Sequence, residues 1–254
     1  MSIFTLNILW FQISPTYYGL MYGLSFLLWY VFLKKYWKIE AKYLDDLLLY
    51  IFFWVIIWWR FWYIVFYDLS YYLQNLWDIV KIWNGWMSFH GWVLWVIGSM
   101  YLFARKYKLS FLKLADHITL VIPIGLFFWR IWNYINWELL WFSWYTGPFA
   151  VYKSWTWYFP SPLLEAFLEW LILFLILLYV YKRQKFDGQI ASLFLIWYWV
   201  FRVFVEIFFR QPDSHIGLLF GFISTGTLLS LPMVLVGGFF YWRLWLTKRA
   251  NKLR

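Results

Sequence analysis

Three arginines, Arg60, Arg130 and Arg202, stand inside long apolar stretches, where a charge is expensive and marks a candidate site. A guanidinium stays ionised and offers a planar fork of donors matched to phosphate oxygens. Set beside lipid, such a group points to a phospholipid headgroup as ligand. Glu138, Glu165, Glu169 and Glu206 fall at comparable levels of their stretches. Tyr198, Arg202, Glu206 and Arg210 recur every four residues, which aligns them along one helix face. A stripe of that kind also reads as an intrahelical ion network that merely neutralises its own charges. His90, in Met87-Ser88-Phe89-His90-Gly91, adds a titratable ring, although a lone histidine near a helix end is more often structural or interfacial. His117 and His215 share no helical spacing with it, and two-histidine motifs are missing, so zinc has no support.

The elements that must position these groups follow from composition. Of 254 residues, 65% are hydrophobic and 13% charged, with a mean hydropathy of +0.63. That leaves too little polar surface to cover a soluble globule, so lipid is the solvent. Without water, backbone groups must be satisfied within each segment, which selects helices; the alternating short strands of a β-barrel are absent. Seven stretches of spanning length lie at 15–33, 47–67, 88–104, 114–135, 162–181, 189–209 and 221–243. Basic residues in short loops are retained on the cytoplasmic side. Sixteen Lys and Arg follow the first, third, fifth and last stretches, against Lys81, Lys153 and Arg210 in the opposite loops. The expected fold class is therefore an all-α polytopic membrane protein of about seven transmembrane helices, N-terminus outside and C-terminus cytoplasmic.

The net charge of +10 reads as this topology plus attraction to anionic headgroups, and argues for membrane lipid rather than nucleic acid as partner. No cleavable signal peptide is visible, and the first span is expected to serve as its own targeting signal. With no cysteine, the chain can supply neither a disulfide nor a thiolate nucleophile, so any thiol belongs to a partner. A single domain over 1–254 is expected, with residues 1–14 along the outer interface and a small outer cap at about 136–161. Pro162 suits the first turn of a helix.

The motifs then narrow the reading. Trp129-Arg130-Ile131-Trp132-Asn133-Tyr134-Ile135-Asn136-Trp137-Glu138-Leu139-Leu140-Trp141 resembles the signature of the bacterial prolipoprotein diacylglyceryl transferases, G-R-x-G-N-x-x-N-x-E-x-x-G. Tyr18-Gly19-Leu20-Met21-Tyr22 is similar to that family's first-helix motif and Arg60-Phe61-Trp62-Tyr63 to its second-helix motif. Trp83 to Trp92 resembles W-D-G-G-M-S-F-H-G-G, and Phe209-Arg210-Gln211-Pro212-Asp213 closes the match. The resemblance implies transfer of a diacylglyceryl group from phosphatidylglycerol to the lipobox cysteine thiol of a secreted prolipoprotein, in the bacterial cytoplasmic (inner) membrane. This is the first step of lipoprotein maturation. It implies no cofactor. Its implied roles are His90 as base or proton carrier, Arg130 as headgroup anchor and Arg202 as stabiliser of the leaving phosphate. Tyr18, Arg60, Tyr63, Asn133, Asn136, Glu138, Tyr198, Glu206 and Arg210 complete the expected binding set. The competing reading from another class is a transporter or flippase for a phosphorylated or lipid solute, for which no inverted repeat speaks.

Where the family pattern has glycine, this chain has tryptophan at 54, 58, 59, 62, 86, 92, 95, 129, 132, 137, 141, 170, 197 and 199. Fourteen exchanges in one direction are not drift. An indole in place of glycine pushes helices apart and blocks turns at positive φ. The pattern points to UGA codons that the source cell reads as glycine. The rival is a tryptophan-rich member with a rebuilt interior. Smaller departures are Phe159-Pro160-Ser161-Pro162-Leu163-Leu164-Glu165 where the family has H-P-S-x-x-Y-E, and one extra residue between Glu206 and Arg210.

Overall fold

The computed structural model describes residues 6–8, 11–13, 17–36, 42–51, 53, 64, 69–79, 89–137, 141–209, 218–219 and 223–252. They fall into two compact units, one of Met1–Lys35 with Asp116–Arg254 and one of Tyr36–Ala115.

The first unit carries the site. Its helices are α1 (Tyr17–Tyr36), most of α5 (Phe111–Ile135), α6 (Ser161–Ala166), α7 (Leu173–Lys182), α8 (Gln189–Phe208) and α9 (Thr225–Lys252). A π-helical turn, Phe167–Ile172, joins α6 to α7 and makes one helical column of Ser161–Lys182. Among the described residues, three columns are long and apolar enough to cross a membrane: Phe111–Ile135, Ser161–Lys182 and Gln189–Phe208. They coincide with the stretches expected at 114–135, 162–181 and 189–209, and this is a membrane protein. Their outward faces carry half-exposed apolar side chains such as Phe167, Leu175 and Phe204, as lipid contact requires.

Local chemistry explains the starts of these columns. Pro160 caps α6 and Pro162 stands in its first turn, where a missing N–H costs nothing. The start of α8 is capped from another helix. Gly188 turns with φ 87°, and the buried Asp116 carboxylate of α5 accepts hydrogen bonds from the Gly188 N–H at 2.7 Å, the Ala191 N–H at 2.9 Å and the Gln184 amide at 2.5 Å. The two backbone N–H groups are donors that a helix start leaves orphaned. Gly237 lets α9 approach α8, since a Cβ there would stand 2.9 Å from the Ser192 carbonyl. The core between the columns is Leu120, Val121, Leu173, Leu177 and Ile190, with Phe32 of α1 edge-on to Phe174 at 5.1 Å.

The second unit pairs a helix over 42–51, α2, with α4 (Phe89–Lys106) through Tyr50 and Phe103 and through the Tyr107 hydroxyl, which donates to Asp46 at 3.1 Å. A short helix α3 (Leu69–Gln74) and a 3-10 turn, Leu76–Ile79, also belong to it.

Strands appear where none was expected. Residues 1–14 hold a hairpin of β1 (Leu6–Ile8) and β2 (Phe11–Ile13), and a two-residue pair, β6 (Leu218–Leu219) with β7 (Ile223–Ser224), precedes α9. The expected cap region contains a three-stranded antiparallel sheet in the order β3 (Trp141–Ser143), β5 (Thr156–Phe159), β4 (Val151–Lys153). Lys153 pairs with Thr156, so Ser154 and Trp155 alone make the β4–β5 turn, at φ 47° and 67°. Positive φ at both central residues is the type I′ pattern, which favours Asn-Gly or its like. Trp137, just past the end of α5, has φ 60°, and Trp144 has φ 79°. Tryptophan is a poor occupant of all three left-handed positions, and glycine the usual one.

Candidate functional site

Three helical columns deliver the ionisable groups to one buried cluster. From α5 comes Arg130, with its side chain 7% exposed. From the adjoining column come Glu165 at the end of α6 and Glu169 in the π-helical turn, both fully buried. Their i,i+4 spacing puts both on one face. From α8 come Arg202 and Glu206, 12% and 6% exposed.

Glu165 joins the two arginines. Its Oε2 forms an ion pair with Arg130 Nε at 2.6 Å and accepts a hydrogen bond from Arg202 Nη1 at 3.4 Å. Glu169 grips Arg130 side-on, with Oε2 at 3.0 Å from Nε and Oε1 at 3.5 Å from Nη2. Arg202 Nη2 also forms an ion pair with Glu206 Oε2 at 3.1 Å, the i,i+4 pair expected from the stripe on α8. Tyr198, one turn before Arg202, stacks on Phe194 with ring centroids 5.6 Å apart and lies within electrostatic reach of Arg130, Arg202, Glu165 and Glu169. The network therefore runs between helices as well as along one. Ion pairs withdrawn from water this far persist only when each charge has partners.

Arg130, Arg202, Tyr198 and Glu206 thus meet. Asn133, one turn beyond Arg130, is buried, while Asn136, just past α5, is exposed. His90 and Tyr18 lie in the first turns of α4 and α1, and their side chains are outside the described residues, as are Arg60, Tyr63, Glu138 and Arg210. Glu165 and Glu169 stand at the expected level of their stretch but lie outside the expected binding set. Their spacing inside an apolar stretch was the signal.

Two of the expected glycine sites border the cluster. Trp170, in the π-helical turn, lies against Phe127 at 4.5 Å, and its buried indole N–H has no acceptor among the described residues; the same holds for the indole N–H of Trp199. A buried donor left unpaired costs about 1–3 kcal/mol.

The model of the prolipoprotein diacylglyceryl transferase family matches residues 5–243. The chain belongs to this family. Among its relatives, the phosphatidylglycerol–prolipoprotein diacylglyceryl transferase of Hydrogenovibrio crunogenus is 39% identical over 233 residues, covering 85% of this chain and 86% of the relative. That of Buchnera aphidicola is 38% identical over 272 residues, with 92% of each chain covered. That of Rickettsia felis is 38% identical over 252 residues, with 94% and 97% covered. Within a prolipoprotein diacylglyceryl transferase, the Arg130–Glu165–Arg202 bridge joins the signature helix α5 to α8.

Proposed function

We propose that this chain is a phosphatidylglycerol–prolipoprotein diacylglyceryl transferase of the bacterial inner membrane. It crosses the membrane seven times, with the N-terminus outside and the C-terminus in the cytoplasm. The observation that carries the reading is the pair of buried arginines held by shared carboxylates between helices of spanning length, in a chain related over nearly its full length to such transferases.

The thiol sulfur of the lipobox cysteine attacks the glyceryl carbon that bears the phosphate of phosphatidylglycerol. A C–S bond forms, the C–O bond to phosphate breaks, and glycerol phosphate leaves with the electron pair. The thiol is mostly protonated at neutral pH, so a base assists; His90 takes that proton. Arg130 anchors the phosphate and Arg202 stabilises the charge that grows on it as it departs, a role in which fixed donors in a dry site are most effective. Tyr18, Arg60, Tyr63, Asn133, Asn136, Glu138, Tyr198, Glu206 and Arg210 bind and orient the two substrates.

The test is thioether formation by the purified protein, given phosphatidylglycerol and a lipobox peptide, with a Cys-to-Ser peptide as control. Modification of the cysteine peptide alone is expected. Arg130→Ala should lose at least a hundredfold in rate, the scale of deleting one charge-stabilising donor. Full activity of that variant refutes the anchor role, and passage of lipid across vesicles without chemistry refutes the transferase.

A further inference from the structure

Among the described residues, the cluster's charges do not balance. Arg130 and Arg202 bring two positive charges, whereas Glu165, Glu169 and Glu206 bring three negative ones, and all five side chains are 12% exposed or less. The excess sits on one spot. Glu165 and Glu169 each bring an oxygen to the same Arg130 Nε, at 2.6 and 3.0 Å, and the Nε–H donates to Glu169. Two carboxylates crowded around one nitrogen repel each other. A phosphodiester arriving here adds one more anion, so the described groups would then set four anions against two cations at low dielectric, where like charges interact strongly. Meanwhile the side-on grip of Glu169 uses Nε and Nη2 and leaves Arg130 Nη1 without a protein partner among the described residues. A phosphate oxygen can take that edge.

We propose that the Glu165–Glu169 pair takes up one proton as an anionic headgroup docks on Arg130, with Glu169 as the positioning residue that holds the guanidinium side-on for it. Among the described residues, the charged and titratable groups facing the pair are Arg130 from α5 and Tyr198, Arg202 and Glu206 from α8. The inference rests on the reading of phosphatidylglycerol as donor. A π-helical turn at Glu169 suits a placed side chain, since such turns recur at functional sites.

The sign of the linkage follows from the proton count. The complex binds more protons than the free protein, so affinity falls as pH rises, by at most tenfold per pH unit for one linked proton. The full chain in detergent is titrated with short-chain phosphatidylglycerol by calorimetry, in buffers of differing ionisation enthalpy across neutral pH. About one proton taken up per lipid bound is expected. Glu169→Gln keeps the shape and removes one negative charge, so uptake should vanish and the dissociation constant should become independent of pH. A merely structural role would instead lower thermal stability and scale affinity equally at every pH. Binding by the unaltered protein without proton uptake overturns the inference, as does full uptake retained in both Glu169→Gln and Glu165→Gln. Failure of the unaltered protein to bind this lipid at any pH overturns the donor reading, and the inference with it.

Discussion

The β4–β5 turn offers a sharp test of the backbone, because removing the ring and removing Cβ at position 155 can be separated. Trp155 is 87% exposed, so Trp155→Ala and Trp155→Gly lose the same small indole contact. They differ only in whether a Cβ remains at φ 67°. A left-handed conformation costs an L-residue about 1–2 kcal/mol, and the greater freedom of glycine in the unfolded chain returns about 0.4–1 kcal/mol of that. Trp155→Gly should therefore be more stable than Trp155→Ala by about 1 kcal/mol, a difference of roughly 2–4 °C in Tm for a chain of this size. Trp242, 59% exposed inside α9, is the control with opposite sign: there glycine should be about 1 kcal/mol less stable than alanine. The assay is thermal unfolding of the four variants in one detergent. If Trp155→Ala equals or exceeds Trp155→Gly while the α9 pair behaves as stated, the left-handed turn and the argument built on it are wrong.

Two further predictions follow from features outside the cluster. Peptides of the protein isolated from its own cells should carry glycine masses at 129, 132, 137 and 170, with UGA in the gene; UGG codons and tryptophan masses there would end the recoding idea. Asp116→Ala should strip the start of α8 of its acceptor and lower stability by about 2 kcal/mol, or roughly 4–8 °C in Tm. An unchanged melting temperature would show that the trans-helix cap contributes nothing.

Much of the site was legible because charge inside an apolar stretch is rare enough to stand out. Arg130, Arg202 and Glu206 needed only that observation and a spacing of four. Glu165 and Glu169 were harder, because one charged face of a helix does not say which neighbour it meets; only the packing of α6 against α5 and α8 makes Glu165 a bridge. The π-helical turn left no mark in the sequence at all. The cap strands were hidden for a particular reason. Strands of three or four residues are recognised mostly by the turn residues between them, and at Ser154-Trp155 the glycine that would announce a type I′ turn is absent. Trp155 lies outside the fourteen positions picked by motif comparison, so backbone geometry and family pattern reach the same idea from different residues. Trp137 belongs to both sets.

The carboxylate of Asp116 does more than complete a helix end. Fourteen positions separate Asp116 from Arg130, and fourteen separate Gly188 from Arg202. At about 1.5 Å per residue, each guanidinium-bearing Cα stands roughly 21 Å along its helix from the place where the two helices are tied. The tie acts as a common zero for two parallel rulers, and it explains why one glutamate can touch both cations at the far end. Adding or deleting a single residue in either length would swing its arginine about a quarter turn away, so evolution can vary these helices in side chain far more freely than in length.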